Sequence, residues 1–173
     1  MTIDIFPQIL GLFYNMIRFL IGLIFIATNM LAAPSLAGLN EKSVLNIEAS
    51  KAAVAGDYQK AISYYNRLIQ IDPDNTHNYV QRGFMYREAK NLNRSKRDAT
   101  IALQLANIAL EKKSTGRRGA KNYWQRAMAN RLLKNFDEAK ADLTHAIRLK
   151  RDQRWLRDLQ AIELESRIHG SGR

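Results

Sequence analysis

The sequence predicts an all-α fold: a solenoid of three stacked helix pairs, closed by a C-terminal capping helix and preceded by an apolar N-terminal segment. Three observations predict it. Helix-start patterns recur at fixed offsets, only three Pro and nine Gly interrupt 173 residues, and the first 37 residues differ in composition from the rest. The chain is 46% apolar and 25% charged, as globular proteins are, and its length suits one folded unit.

The N-terminal segment has the composition of an export signal. Asp4 and Arg18 are its only charged side chains up to Ala37. From Phe19 an apolar core of about a dozen residues leads to a small-x-small triplet that ends at Ala37, a pattern typical of a signal-peptidase site. We therefore expect cleavage between Ala37 and Gly38.

Two alternatives to this interpretation concern the same segment. Residues 19–36 give about 18 predominantly apolar residues, barely enough for an uncleaved membrane anchor. Met16, Ile17 and Arg18 directly precede the apolar core, so translation from Met16 rather than Met1 would give a compact signal. With the cation on the N-terminal side, either form places the remaining domain outside the cytoplasmic membrane, as a periplasmic or other extracytoplasmic protein.

Three segments that begin at Gly56, Lys90 and Lys134 align without gaps. In each, an Asp or Asn precedes a large apolar residue, and a small residue follows three positions later. Asp and Asn accept hydrogen bonds from the unpaired N–H groups of a first helical turn and so mark helix starts. The capping residues are Asp57, Asn91 and Asn135, the large ones Tyr58, Leu92 and Phe136, and the small ones Ala61, Ser95 and Ala139, with offsets of 34 and 44 residues.

The residues upstream repeat with the same offsets, which predicts a first helix in each unit. Small residues at matching places let two helices approach closely, and large ones fill the space beside them. The small residues are Ala49, Gly83 and Ala127, and the large ones are Leu45, Tyr79 and Tyr123. Each unit is therefore an antiparallel helix pair.

The pattern divides the domain, residues 38–173, into repeats at about 42–75, 76–109 and 120–153. An insertion at 110–119 separates the last two repeats. We expect the preceding helix to continue through Leu110 and then give way to a loop over residues 113–119. A capping helix at 154–168 should turn Leu156, Leu159, Ile162 and Leu164 toward the core, because the last unit of a stack needs a helix with a polar outer face.

The repeat resembles the tetratricopeptide repeat family, whose 34-residue unit carries an aromatic early in the first helix, a small residue in its middle, an Ala in the second helix and a closing Pro. Tyr79, Gly83 and Tyr86 match it in the second repeat, and Pro73 closes the first. The resemblance implies an α-solenoid of three tetratricopeptide-like pairs that binds a protein or peptide in a concave groove. The groove residues that it implies are Asn46, Ser50, His77, Val80, Gln81, Phe84, Arg87, Lys121, Trp124, Gln125, Met128 and Arg131.

No pattern of catalytic, cofactor-binding or metal-binding residues accompanies the repeats. The chain has no cysteine, and His77, His145 and His169 lack the paired spacing of a metal site on a helix. Asp137 and Glu138 are adjacent and do not share a helix face. No nucleophile elbow, phosphate loop or dinucleotide fingerprint occurs. We expect a non-enzymatic protein without cofactors.

The net charge of +11 adds an electrostatic element. Residues 111–173 carry 16 cations against 8 anions, and a basic patch of Lys112, Lys113, Arg117 and Arg118 lies in the insertion. The leading prediction is an exported interaction scaffold or adaptor with an acidic partner segment. The alternative is a basic surface-binding protein that recognises anionic lipid, envelope polysaccharide or another polyanion. Export and the lack of aromatic stacking platforms disfavour nucleic acid, and the oligomeric state is left open.

Overall fold

The computed structural model describes the backbone of residues 36–170 and the side chains of residues 41–170. The chain divides into two compact units, residues 1–40 and 41–173, and all that is described of the first is the beginning of one helix. The helices are α1 Leu36–Val54, α2 Tyr58–Ile71, α3 Thr76–Glu88, α4 Leu92–Lys112, α5 Gly116–Leu133, α6 Phe136–Leu149 and α7 Gln153–Gly170. The prediction of an all-α fold is confirmed for the described part of the chain.

The predicted export signal lies almost wholly outside the described residues, which begin at Leu36. Ala37 and Gly38, the expected cleavage site, fall in the first turn of α1. Among residues 36–170, no helix is long and apolar enough to cross a membrane.

The helices of the second unit pack mainly on their sequence neighbours, from α2 against α3 through to α6 against α7. Beyond these neighbours, α3 also contacts α5. The first helices of the second and third pairs therefore lie side by side, which is the arrangement of a solenoid of stacked helix pairs.

The turn inside each pair is built in the same way in all three repeats. One residue with a left-handed backbone ends the first helix, and the next N–H donates to the carbonyl five residues back, as in a Schellman motif. The left-handed residues are Gly56, Lys90 and Lys134, with φ of 77°, 61° and 66°. The donating amides are those of Asp57, Asn91 and Asn135, with N···O distances of 2.9, 2.8 and 2.9 Å.

Two of the three predicted caps are confirmed. The Asp57 side chain accepts from the N–H of Lys60 at 3.1 Å, and the Asn91 side chain accepts from the N–H of Arg94 at 3.2 Å. The third helix begins after Asn135 as predicted, but the Asn135 side chain makes no capping hydrogen bond, and its amide donates to the Asn130 side chain at 3.3 Å.

Two apolar clusters form the described core. One joins α1 and α2 through Ala49, Ala61, Tyr65 and Leu68, and the other joins α3 to α7. Small residues let the helices approach where the repeat pattern predicted. Ala49 and Ala127 are fully buried, and a Cβ at Gly83 would lie 2.9 Å from Leu132 Cδ1 on α5.

A buried ion pair ties the second and third repeats to the repeats before them. The Arg82 guanidinium donates to both carboxylate oxygens of Asp98 at 2.7 Å and to Asn66 on α2 at 2.7 Å. Arg126 repeats this arrangement with Asp142, at 2.8 and 2.6 Å, and with Asn107 on α4 at 3.1 Å. Each arginine therefore joins three helices, and the carboxylate fixes its side chain in the bidentate geometry that suits a guanidinium.

The insertion lengthens helices more than it forms a loop. α4 continues through Leu110, which is buried, as predicted. The predicted loop over 113–119 is wrong from Gly116 onward, because α5 already begins there and the connection is limited to residues 113–115. In the terminal helix Ile162 is fully buried, but Leu164 is 60% exposed, contrary to its predicted inward orientation.

Candidate functional site

One face of the second unit is formed by α3, α5 and α7, and it carries a cavity of about 550 Å³. We call this cavity the tryptophan cavity, because both tryptophans of the chain line it. The nine lining residues are His77, Gln81, Arg117, Lys121, Trp124, Lys150, Arg154, Trp155 and Asp158.

Aromatic rings form the wall of the cavity. The Trp124 and Trp155 rings lie 6.3 Å apart and are nearly parallel, at 15°. The His77 ring lies 6.0 Å from Trp124. The Trp124 indole N–H donates to Asp158 Oδ2 at 2.9 Å, so the ring is held by α7. The wall therefore presents apolar surface whose orientation is fixed by packing and one hydrogen bond.

Four cations surround this wall. Lys150 and Arg154 both lie near Asp152, at 3.5 and 3.1 Å, and so share one carboxylate. Arg117 and Lys121 form no ion pair with any described residue. The single acid of the lining, Asp158, already accepts the Trp124 hydrogen bond. The cavity is therefore positively charged.

The pKa of His77 is affected by burial and by this positive charge. Burial, and then the positive charge of Lys121, lower the pKa of His77 to about 4. Both causes disfavour a second positive charge at this place. His77 is therefore neutral at physiological pH.

Two helical turns further along the same face lies a second group of residues, the arginine cluster of Phe84, Arg87, Arg131 and Glu165. Glu165 of α7 accepts from Arg131 at 2.7 and 3.0 Å and lies 3.8 Å from Arg87. Both guanidinium groups lie over the Phe84 ring, at 4.9 and 5.6 Å from its centre. Burial by itself would raise the pKa of Glu165, but the hydrogen bonds and charge of Arg131 outweigh it and lower that pKa.

Seven of the predicted groove residues lie in these two places. His77, Gln81, Lys121 and Trp124 line the cavity, and Phe84, Arg87 and Arg131 belong to the arginine cluster. Asn46 and Ser50 lie on α1, where the Asn46 side chain donates to the Lys42 carbonyl and the Ser50 hydroxyl to the Asn46 carbonyl, each at 2.8 Å.

Three predicted groove residues are not accessible. Val80 is fully buried, Met128 is 2% exposed and Gln125 is 5% exposed. Val80 and Met128 belong to the core cluster of α3 to α7, because their positions face the neighbouring helices and not the solvent. Helical spacing alone cannot separate these two orientations when the exposed face is itself partly apolar.

The four residues of the basic patch do not all belong to the cavity. Lys112, Lys113, Arg117 and Arg118 are all exposed, and only Arg117 lines the cavity. Within residues 41–170 no three His, Asp or Glu side chains are placed as metal ligands.

α7 contributes to the cavity as well as capping the stack, which the sequence pattern did not predict. Arg154, Trp155 and Asp158 of α7 complete the cavity, together with Lys150, which directly follows α6. The 34-residue period of the repeats could have predicted this contribution. The two pairs that join α5 to α7, Trp124 with Asp158 and Arg131 with Glu165, are each 34 residues apart, so α7 occupies the place of the first helix of a fourth repeat.

Comparison with known proteins identifies the repeats. The family model described as tetratricopeptide repeat matches residues 55–75 and 120–153. No curated protein matches the chain.

Three solved structures are similar to this chain. The Thermobaculum terrenum O-GlcNAc transferase mutant K341M superposes with a TM-score of 0.52 at 19% identity, over 74% of this chain and 23% of that one. The Sgt2 TPR domain from Aspergillus fumigatus gives 0.49 at 18% identity, over 80% and 85%. The first TPR of Spaghetti (RPAP3), bound to the HSP90 peptide SRMEEVD, gives 0.47 at 24% identity, over 73% and 93%. The likeness to the transferase, which extends over less than a quarter of that protein, is a likeness of fold.

Proposed function

We propose that this chain, whose residues 55–75 and 120–153 match the tetratricopeptide repeat model, is a non-enzymatic interaction scaffold that binds an acidic segment of a partner protein in the tryptophan cavity. One observation carries the proposal. The cavity has a rigid aromatic wall and four cations, of which Arg117 and Lys121 have no acidic partner among the described residues.

The chemistry of the cavity selects a particular kind of segment. A carboxylate would be attracted to Arg117 and Lys121, and an adjacent apolar or aromatic side chain would pack against Trp124. Buried aromatic residues and arginines are the groups that most often dominate binding energy at interfaces. Both requirements are met by a short peptide segment in which acidic and apolar residues alternate.

The arginine cluster is the weaker candidate for the acidic contact. Glu165 already neutralises Arg131 and, in part, Arg87, so a partner carboxylate would have to displace it. The acidic residues of the partner are therefore expected at the cavity, and the arginine cluster is expected to hold α7 in place.

Peptide selection tests this proposal without knowledge of the natural partner. Random ten-residue peptides displayed on phage are selected against the full chain, and the best sequences are synthesised. Because both tryptophans line the cavity, tryptophan fluorescence reports its occupation directly. We expect selected peptides to be enriched in Asp and Glu, and Arg117→Gln with Lys121→Gln to weaken binding at least fivefold, or by about 1 kcal/mol.

The matched control is Lys112→Gln with Lys113→Gln, which removes the same charge from exposed residues outside the cavity. This control should leave the affinity unchanged. Partial binding should remain at roughly 0.5 M salt, since aromatic contacts are not screened as exposed charges are. Selected peptides without an excess of acidic residues, or equal losses in the two double variants, would contradict the proposal.

We propose further that the repeat domain is exported. The support is the apolar run from Phe19, which is followed by the small-x-small triplet before Gly38. N-terminal sequencing of the protein from the envelope fraction should find Gly38 as the first residue. A start at Met1 or Met16 in that fraction would instead favour the anchor.

A further inference from the structure

A second surface of the domain lies on α4, which contributes no residue to the tryptophan cavity. Five residues at intervals of three and four follow one face of this helix, and we call them the outer stripe: Arg97, Ile101, Gln104, Ile108 and Lys112. Residues with this spacing are neighbours on a helix surface. All five are exposed, while the opposite face of α4 buries Ser95, Ala99, Ala102 and Ala106 in the core.

The outer stripe combines apolar and cationic side chains. Ile101 is 37% exposed and Ile108 is 46% exposed. Near Ile101, a shallow depression is lined by Asn93, Lys96, Arg97, Thr100 and Ile101. A single exposed isoleucine on a helix needs no explanation, but here two lie on one line that has a cation at each end, Arg97 and Lys112.

The charges of α4 are strongly asymmetric. Lys96, Arg97 and Lys112 form no ion pair with any described residue. Of the two acids on this helix, Asp98 is buried and bound by Arg82, which leaves Glu111 as the only exposed carboxylate of α4. The exposed surface of α4 is therefore cationic around an apolar line.

We propose that the outer stripe is a docking surface for an anionic lipid bilayer. From Arg97 to Lys112 the stripe extends about 22 Å at 1.5 Å per residue, and it is one helix wide, which suits a flat surface more than a pocketed protein partner. Isoleucine side chains enter the boundary between headgroups and acyl chains, while lysine and arginine reach the phosphates. Basic residues near an anionic leaflet each add to the attraction.

This proposal is independent of peptide binding in the tryptophan cavity, because the two surfaces share no residue. A peptide bound at the cavity and a bilayer bound at the outer stripe would occupy different helices. The domain could then hold a partner while it lies on a membrane.

The experiment uses the full chain, which has no cysteine, so that one introduced cysteine can carry an environment-sensitive NBD fluorophore. Gln104→Cys places the probe in the outer stripe, and Gln160→Cys places a control probe on an exposed position of α7. A local probe is required, because the apolar N-terminal segment can itself enter a bilayer and would dominate any measurement of total binding.

Each labelled protein is titrated with vesicles of phosphatidylcholine, and with vesicles that contain roughly 30% phosphatidylglycerol to supply the anionic surface. We expect NBD at position 104 to brighten and shift to the blue with anionic vesicles and much less with neutral ones, and NBD at position 160 to change little. Removal of three cations by Lys96→Gln, Arg97→Gln and Lys112→Gln should raise the lipid concentration for half-maximal signal about tenfold or more.

The matched control removes three exposed cations elsewhere, by Lys60→Gln, Arg148→Gln and Arg157→Gln. Its titration should resemble that of the parent protein. The proposal is overturned if position 104 is silent on anionic vesicles, if both probe positions respond equally, or if the control triple variant weakens the signal as much. A response at position 104 to soluble polyglutamate, but not to vesicles, would overturn it in favour of an acidic protein.

Discussion

At the scale of single residues, the titration of His77 makes the stability of the folded protein depend on pH. Its pKa is lowered to about 4, first by burial and then by Lys121, whereas in the unfolded chain it titrates near 6.5. Between these two values the unfolded chain binds the proton and the folded protein does not. Stability is therefore fully present above about pH 6.5 and falls as the pH drops toward 4.

Replacement of His77 by Gln should remove this part of the pH dependence. Between pH 7 and pH 5 the parent protein is expected to lose roughly 1–2 kcal/mol more of its free energy of unfolding than the His77→Gln variant. Urea denaturation followed by circular dichroism at both pH values measures the difference. Parallel losses in the two proteins would show that His77 is not buried in a cationic environment.

Binding of an acidic peptide in the cavity would also change the pKa of His77. An acidic peptide next to Lys121 would oppose its charge and raise the pKa of His77. Such a peptide should therefore bind more tightly at pH 5 than at pH 7, provided that its own carboxylates remain ionised.

At the scale of elements, the start of α5 depends on a close contact between Gly119 and the backbone of Ser114. Gly119 is buried, and a Cβ at this position would clash with the backbone of Ser114 in the connection from α4. In an unconstrained helix, alanine is more favourable than glycine by up to about 1 kcal/mol. Here the clash opposes that preference, so the first turn of α5 would have to move.

We expect Gly119→Ala to lower the free energy of unfolding by about 2 kcal/mol, in the direction opposite to helix propensity. The control is Gly170→Ala at the end of α7, where no atom lies within 4 Å of the new Cβ. That variant should be neutral or slightly more stable in the same thermal or urea unfolding measurement. A stabilised Gly119→Ala protein would mean that α5 begins after residue 119.

At the scale of the whole molecule, α7 packs on the third repeat and completes the tryptophan cavity. Ile162 is fully buried in the cluster that joins α3 to α7, whereas Ile168 on the same helix is 61% exposed. In a solenoid each helix pair is stabilised mainly by its neighbours, so loss of the closing contact weakens the array behind it.

This contrast gives a matched pair of variants. Ile162→Ala should lower the free energy of unfolding by about 3 kcal/mol, through lost burial and the cavity left behind. Ile168→Ala should change it by less than about 0.5 kcal/mol. Because Trp155 and Asp158 lie on the same helix, Ile162→Ala should also alter tryptophan fluorescence. Equal effects of the two substitutions would mean that α7 does not pack on the repeats.

The periodicity of the chain was enough to predict the helix pairs. The offsets of 34 and 44 residues place helix starts after Asp57, Asn91 and Asn135, and helix starts are local properties that short segments specify. Small residues at matching places, such as Gly83, predicted close helix packing for the same reason. The predicted loop over residues 113–119 was wrong from Gly116 onward, because α5 begins there.

The tryptophan cavity depends on packing between residues that are distant in the sequence. Trp124 and Met128 are one helical turn apart on α5. Met128 is buried in the core cluster that joins α3 to α7, whereas Trp124 lines the cavity. Which side of a helix is covered depends on the neighbours it meets, and these are 34 residues away in the case of Trp124 and Asp158. The sequence pattern predicts the repeated unit because that unit is stabilised locally. The charges and rings of the cavity come together only when α3, α5 and α7 lie side by side, because no single repeat contains them all.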